Sequence, residues 1–318
     1  MNKYINLNRL EFFITNACTG KCKHCSEYER LHLKESINAE AAVNVIKKLE
    51  GKFALESVMT FGGEPLLFAD TVCAVHTAAN DSLIPERQLI TNGFFSENEQ
   101  KIDEVAEKLC CSGVNSILIS VDVFHQEFIP LETVMKFAEA VTKYGIPSIL
   151  AHPSWVVSEI HENPYNTETK ELLKTFTDKG FGTSKGNHVF PFGAALNHLN
   201  EYFPPPEEID LSVPCGSAPY TTRLDNIDCF GINPNGDVRL CALTIGNIYE
   251  DDILNIVENY DPHKIAEVKA LLEGGVSGLL HFAKLRGIEV DISKCRSACG
   301  VCKKVMEALT EKNKMCRV

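Results

Sequence analysis

Apolar positions in the first two hundred residues fall into two alternating patterns. Short apolar or β-prone runs occupy residues 10–15, 57–61, 88–91, 115–121, 148–152 and 188–192. Between them, apolar residues recur at helical spacing: Ala42, Val45, Ile46 and Leu49, then Ile102, Val105, Ala106 and Leu109, then Val134, Phe137, Ala138 and Val141. Helices are also predicted over 71–79 and about 167–179, and Asn38 is placed to cap the first one. Six strand–helix units spaced by about 30 residues give the βαβ rhythm of a parallel sheet covered by helices. That rhythm fits a doubly wound sheet and a barrel equally well. In both, chemistry belongs at the C-terminal ends of the strands. A cysteine loop, Gly62-Gly63-Glu64-Pro65, Asn92-Gly93, Ser120, Asp122, His125 and His152 all fall there.

The pattern changes after Phe203-Pro-Pro-Pro, which breaks regular structure and sets a boundary between 1–203 and 204–318. Residues 227–233 and 237–242 flank Asn233-Pro-Asn-Gly236 and predict a β-hairpin. A helix over 253–260, a Gly-rich break at 274–278 and a final amphipathic helix complete the smaller unit.

Charge removes some function classes. The chain has 318 residues and a net charge of −12, which argues against a partner such as a nucleic acid backbone. No run reaches the ~18 apolar residues of a membrane span, and the start lacks a secretory apolar region. With 13 cysteines, an odd number, the expectation is reduced thiols and metal ligands in a cytoplasmic protein.

Those cysteines form two groups. Cys18, Cys22 and Cys25 lie within eight residues, directly after the first strand. Three thiolates leave one iron of a four-iron cluster without a protein ligand and free to bind something else. Zinc is an alternative here, since His32 lies close by. Seven cysteines lie in the last third: Cys215, Cys229, Cys241, Cys295, Cys299, Cys302 and Cys316. Their C-x3-C-x2-C spacing from Cys295 points to a second metal site. Cys73, Cys110 and Cys111 read as free thiols on or beside helices.

CxxxCxxC, with His24 before its last cysteine, resembles the signature of the radical SAM superfamily, and Gly62-Gly63-Glu64-Pro65 resembles that family's GGEP motif. The resemblance implies a partial (β/α)6 TIM-like barrel, with a [4Fe-4S] cluster on Cys18, Cys22 and Cys25. Its open iron would chelate S-adenosyl-L-methionine, and an electron from a donor such as flavodoxin or ferredoxin would cleave it to a 5′-deoxyadenosyl radical. It also implies nucleoside contacts from His24, Gly62, Gly63, Glu64, Pro65, Asn92, Ser120 and Asp122. His125 and His152 are candidates for substrate contact or proton donation. Gly236-x4-Cys241 with Ile245-Gly-Asn-Ile-Tyr-Glu is similar to the SPASM or twitch extension, implying an auxiliary [4Fe-4S] cluster on Cys215, Cys241, Cys299 and Cys302. Cys229 and Cys295 stand in reserve, and structural zinc is an alternative occupant.

His188-Val-Phe-Pro-Phe-Gly-Ala-Ala195, Cys215-Gly216, Gly278-Leu-Leu280 and the closing Cys299-Gly-Val-Cys302 resemble the layout of radical SAM peptide epimerases, which implies a peptide substrate. Those enzymes take a hydrogen donor thiol from beside the hairpin ligand. Ala242 stands there in this chain, leaving Cys229 or Cys295 for that role. The alternatives are dehydrogenation or rearrangement of a small metabolite, and a zinc- or cluster-binding protein without turnover.

Overall fold

The computed structural model describes residues 2–218 and 221–315. Cys316 lies outside the described residues. The first strand, β1 (Ile5–Phe13), buries Ile5, Leu7, Leu10 and Phe12. It starts five residues before the predicted run. Helix α1 (Ala39–Leu49) begins where Asn38 Oδ1 accepts from Ala41 N, and it buries the predicted stripe of Ala42, Val45, Ile46 and Leu49. The alternation continues through β2 (Ser57–Phe61), α2 (Ala69–Asp81), β3 (Glu86–Thr91), α3 (Glu99–Cys111), β4 (Ser116–Ser120), the short α4 (Val123–Gln126), α5 (Leu131–Lys143) and β5 (Ser148–His152). Strands β1 to β5 pair in parallel and in sequence order. This is an α/β fold with the parallel sheet and covering helices of a partial TIM-like barrel.

The sixth unit departs from expectation. In place of a strand over 188–192, the structure forms β6 (Ser154–Trp155), α6 (Pro164–Thr177), β7 (Gly182–Thr183) and β8 (Asn187–His188). Strand β7 extends the main sheet beside β5, while β8 pairs with β6. Pro191 has no N–H for a ladder, and Phe192 N donates back to Phe190 O at 2.8 Å, which turns the chain out of a strand. A short helix, α7 (Ala195–His198), follows.

The predicted hairpin is a three-stranded meander: β9 (Ile227–Ile232), β10 (Asp237–Leu240) and β11 (Leu243–Asn247). Its second arm ends at Leu240 because Cys241 takes a left-handed conformation, φ 50°, in a turn. Strand β9 pairs in parallel with β1, Leu10 against Phe230 and Phe12 against Ile232. Among the described residues, nine strands form one sheet, which runs across the 203/204 position. Helices α8 (Ile253–Asn259), α9 (Ala266–Leu285) and α10 (Ala298–Met315) follow. The Gly-rich segment kinks α9 rather than ending it: Gly275 has φ 60°, and the 211–213 segment packs against that kink. Among the described residues, no helix is long and apolar enough to cross a membrane.

Phe230 is 1% exposed in the same core as Leu10 and Phe12. Phe230→Ala should therefore cost about 3–5 kcal/mol. The chain has a single tryptophan, Trp155, which is buried far along the sequence in β6. The denaturation midpoint followed by Trp155 fluorescence should fall with the substitution, and an unmoved midpoint would place β9 outside the barrel core.

Candidate active site and cysteine centres

The cysteine loop rests on a floor made by the ends of β1, β2 and β3. Gly63 N donates to Thr15 O at 2.7 Å and Glu64 N to Ala17 O at 2.8 Å. A Cβ on Gly63 would sit 2.2 Å from Ala17 O, and one on Gly62 would sit 2.6 Å from Thr15 O. The glycines thus admit the backbone that leads into Cys18. The Glu64 carboxylate is fully buried. Its Oε1 accepts from Leu66 N and Thr91 Oγ1, and its Oε2 accepts from Asn92 N at 2.8 Å. Burial outweighs these bonds and raises the carboxyl to about 7. Pro65, buried, opens a short 3-10 turn. Asn92 reaches from β3 to the loop, with Nδ2 3.1 Å from Thr19 Oγ1 and 3.6 Å from Cys18 Sγ.

The three thiols face a common space. A Cβ on Gly20 would lie 3.2 Å from Cys22 Sγ and 3.9 Å from Cys18 Sγ. Burial pushes the Cys18 thiol up to about 11 and raises Cys22 and Cys25; Cys25 adds to the rise at Cys18, and Cys18 and Cys25 both add to the rise at Cys22. Bound metal reverses that state, since a coordinating thiol gives up its proton. Three clustered, unpaired thiols therefore fit the cluster implied by the sequence. Gly193, φ 53°, lets residues 192–194 close over the loop, where Ala194 N donates to Cys25 O at 3.0 Å.

The β4–β5 side is lined by histidines. Asp122, fully buried, caps α4: its Oδ1 accepts from Phe124 N, His125 N and His125 Nδ1, and its Oδ2 accepts from Ser154 N. Burial alone would raise this carboxyl, but His125 and His24 outweigh it and hold it below the usual range. His24 Nε2 meets Ser154 Oγ at 3.2 Å, and burial lowers the ring to about 4. His152 Nδ1 meets Ser184 Oγ at 2.8 Å, and burial lowers its ring too. His24 Nδ1, Gln126 Nε2 and His152 Nε2 are buried without a protein partner. Ser120 is buried at the end of β4. Ser154, which holds both His24 and Asp122, was missed by sequence reasoning. Its signal was faint: a serine two residues after a strand-end histidine.

Four thiols also meet in the last third. Cys302 is raised by burial first and then by Cys215, Cys299 and Cys241; Cys215 is raised by burial, Cys241 and Cys299. Three separate devices bring them together. The kink at Gly275 seats the segment leading to Cys215, with Ser277 N donating to Leu211 O. Arg239 donates to Cys241 O and holds the turn. Cys299 and Cys302 lie in the first two turns of α10, where Ser297 Oγ accepts from Gly300 N and the helix dipole favours thiolates near the N-terminus. Cys229 lies on β9 opposite Arg9, beside Glu11 on the face away from Leu10. Cys295 is buried among Lys304, Asp291 and Arg296. Among the described residues, no three sulfurs of either set come within 4.8 Å of one another. A tetrahedral zinc ion with ~2.3 Å bonds needs sulfurs roughly 3.8 Å apart.

A partial β/α barrel with three free thiols after its first strand is a scaffold for a metal cluster at the barrel mouth. The chain belongs to the radical SAM superfamily, whose family model matches residues 12–201. It is 29% identical over 139 residues to the probable GTP 3′,8-cyclase of Methanocaldococcus jannaschii, covering 44% of this chain and 41% of that protein. It is 26% identical over 166 residues to the GTP 3′,8-cyclase of Pasteurella multocida, covering 49% and 47%. The chain thus spans less than half the length of these curated relatives. Among solved structures, native anSMEcpe with bound AdoMet shares the fold at a TM-score of 0.52, with 14% identity over 96% of this chain and 97% of that one. Family membership implies S-adenosylmethionine and one [4Fe-4S] cluster as cofactors, and a substrate and a reductant as partners.

Two outcomes follow from the floor of the loop. Gly63→Ala must push apart residues 63 and 17, and should lower stability by roughly 2–4 kcal/mol and weaken iron loading, measured by melting and iron content. Glu64 has its folded pKa raised, so the folded state holds an extra proton between the ordinary carboxylate range and about 7. Stability should then fall as pH rises through that window, by up to about 3 kcal/mol at ~1.4 kcal/mol per unit. Denaturation of wild type and Glu64→Gln at pH 5 and 8 checks this: the decline should flatten in the variant.

Proposed function

We propose that this chain is a radical SAM enzyme with two clusters, acting on a peptide held between the barrel mouth and residues 204–318. Cys18, Cys22 and Cys25 would hold the catalytic cluster, and Cys215, Cys241, Cys299 and Cys302 an auxiliary [4Fe-4S] cluster in a SPASM- or twitch-like unit. The observation that carries the reading is the convergence of those four thiols from three separated segments. When bound, the catalytic cluster supplies the electron that cleaves S-adenosylmethionine to the hydrogen-abstracting radical.

The chain's own residues position and shield. The floor built by Gly62, Gly63 and Glu64 fixes the loop, Asn92 ties its start to β3, and Ser120 and His152 present polar atoms from neighbouring strand ends. His125, held by Asp122, is the candidate proton donor. The 192–194 segment covers Cys25 and reaches toward α10, where Phe192 lies under Lys303 at 5.5 Å. It touches both cysteine-bearing segments, since Phe192 also lies beside Gly300.

The peptide reading rests on the resemblance of the chain's layout to radical SAM peptide epimerases. An open 1280 Å³ cleft runs between α1 and the β9–β10 turn, but it is lined by none of the cysteines or strand-end site residues. Cys229 gives a thiol on the barrel face of β9, available to return hydrogen if the outcome is epimerisation. The relatives named GTP 3′,8-cyclase favour a second reading, in which the substrate is a small metabolite such as a nucleotide.

Anaerobic reconstitution with iron and sulfide tests the cluster count. The chain should bind about eight irons, and Cys299→Ser with Cys302→Ser about four. Reduced protein should release 5′-deoxyadenosine from S-adenosylmethionine, and Cys22→Ala should release none. Zinc that stays bound through reconstitution with iron and sulfide, with no cleavage, would overturn the enzyme reading. Deuterium from heavy water at a peptide α-carbon supports epimerisation, while turnover of a nucleotide supports the second reading.

A further inference from the structure

One group of potential ligand atoms is drawn tighter than either thiol set. Cys22 Sγ and ring nitrogens of His24 and His125 lie within 4.8 Å of one another, and no other such group occurs among the described residues. The two rings meet edge to face at 4.9 Å. Each ring has one nitrogen already committed: His125 Nδ1 to Asp122 Oδ1 at 2.9 Å, and His24 Nε2 to Ser154 Oγ at 3.2 Å. That leaves His125 Nε2, and it leaves His24 Nδ1, which is buried without a partner. Ligating histidines are held in this way, with the second nitrogen on a carboxylate or another polar group fixing the tautomer.

We propose that Cys22, His24 and His125 form a mononuclear site that holds zinc in the chain before its cluster is assembled. One sulfur and two imidazoles suit zinc and leave a fourth tetrahedral position open. On binding, Cys22 gives its thiol proton to solvent. The thiolate and the buried Asp122 carboxylate then balance the dipositive ion. Because Cys22 serves both occupants, ion and cluster exclude each other, and zinc must leave before the catalytic cluster forms.

The test uses the full-length, metal-free chain carrying Cys299→Ser and Cys302→Ser, so that the second thiol set does not compete. Titration with Co2+ should show one tetrahedral ion, and X-ray absorption of the Zn2+ form should show one sulfur among nitrogen or oxygen ligands. His24→Ala and His125→Gln should each weaken Co2+ binding at least tenfold, and Asp122→Asn about 10–100-fold. Circular dichroism and Trp155 emission report whether each variant is folded. An all-sulfur shell around zinc, or unchanged Co2+ affinity in folded His125→Gln, overturns the proposal.

Discussion

Everything at the barrel mouth depends on a backbone contact that tolerates no side chain. Gly62 and Gly63 press against residues 15–17, close enough for two hydrogen bonds to pass between the end of β2 and the entry to the cysteine loop. The entry to the loop is therefore positioned by β2, while Asn92, Ser154 and Ala194 hold the rest of it. Glu64 extends the contact to β3 by receiving Thr91 Oγ1 and Asn92 N. Three strand ends become one surface. A fully buried carboxylate is costly to charge, and burial displaces the Glu64 pKa upward despite three hydrogen bonds that favour the charged form.

The second constraint is the β1–β9 pairing. A parallel partner for β1 drawn from residues 227–232 places the meander at the open edge of the barrel, where an unpaired strand would otherwise present free N–H and C=O groups. It also sets the Cys241 turn at a fixed distance from β1. A non-glycine residue at φ 50° stores strain, and Arg239 offsets part of it through two bonds to the Cys241 carbonyl. The α9 kink and the start of α10 carry the other three thiols toward the same region.

The sequence was readable where periodicity and capping agree. The first five strand–helix units, the Asn38 cap and the helix stripes follow from local pattern, because parallel strands buried on both faces must be apolar and their helices amphipathic. The sixth strand failed: His188 to Phe192 has β-prone residues, yet Pro191 removes a donor and turns the chain. The hairpin failed in its second arm because nothing local announces that Cys241 turns left-handed. The β1–β9 pairing joins residues more than 200 apart and has no local signature at all. Among site residues, cysteines declare themselves by spacing. Ser154 and Arg239 do not, since their roles come from partners distant in sequence.

The functional weight of Glu64, Asp122 and the two glycines shifts once their partners are known. Each was singled out for a strand-end position and a matching motif, and each is committed to the protein itself: Glu64 to β3, Asp122 to α4 and Ser154, the glycines to the loop backbone. Residues so engaged fix backbone rather than present free polar atoms to a ligand. The atoms left over point elsewhere. His24 Nδ1, His152 Nε2 and Gln126 Nε2 are buried and unpaired, and a buried polar atom without a partner costs stability unless something outside the chain satisfies it. All three lie along the β4–β5 side, around Asp122. That side, rather than the Gly-Gly-Glu-Pro floor, is where the chain retains unused hydrogen-bonding capacity for whatever enters the barrel.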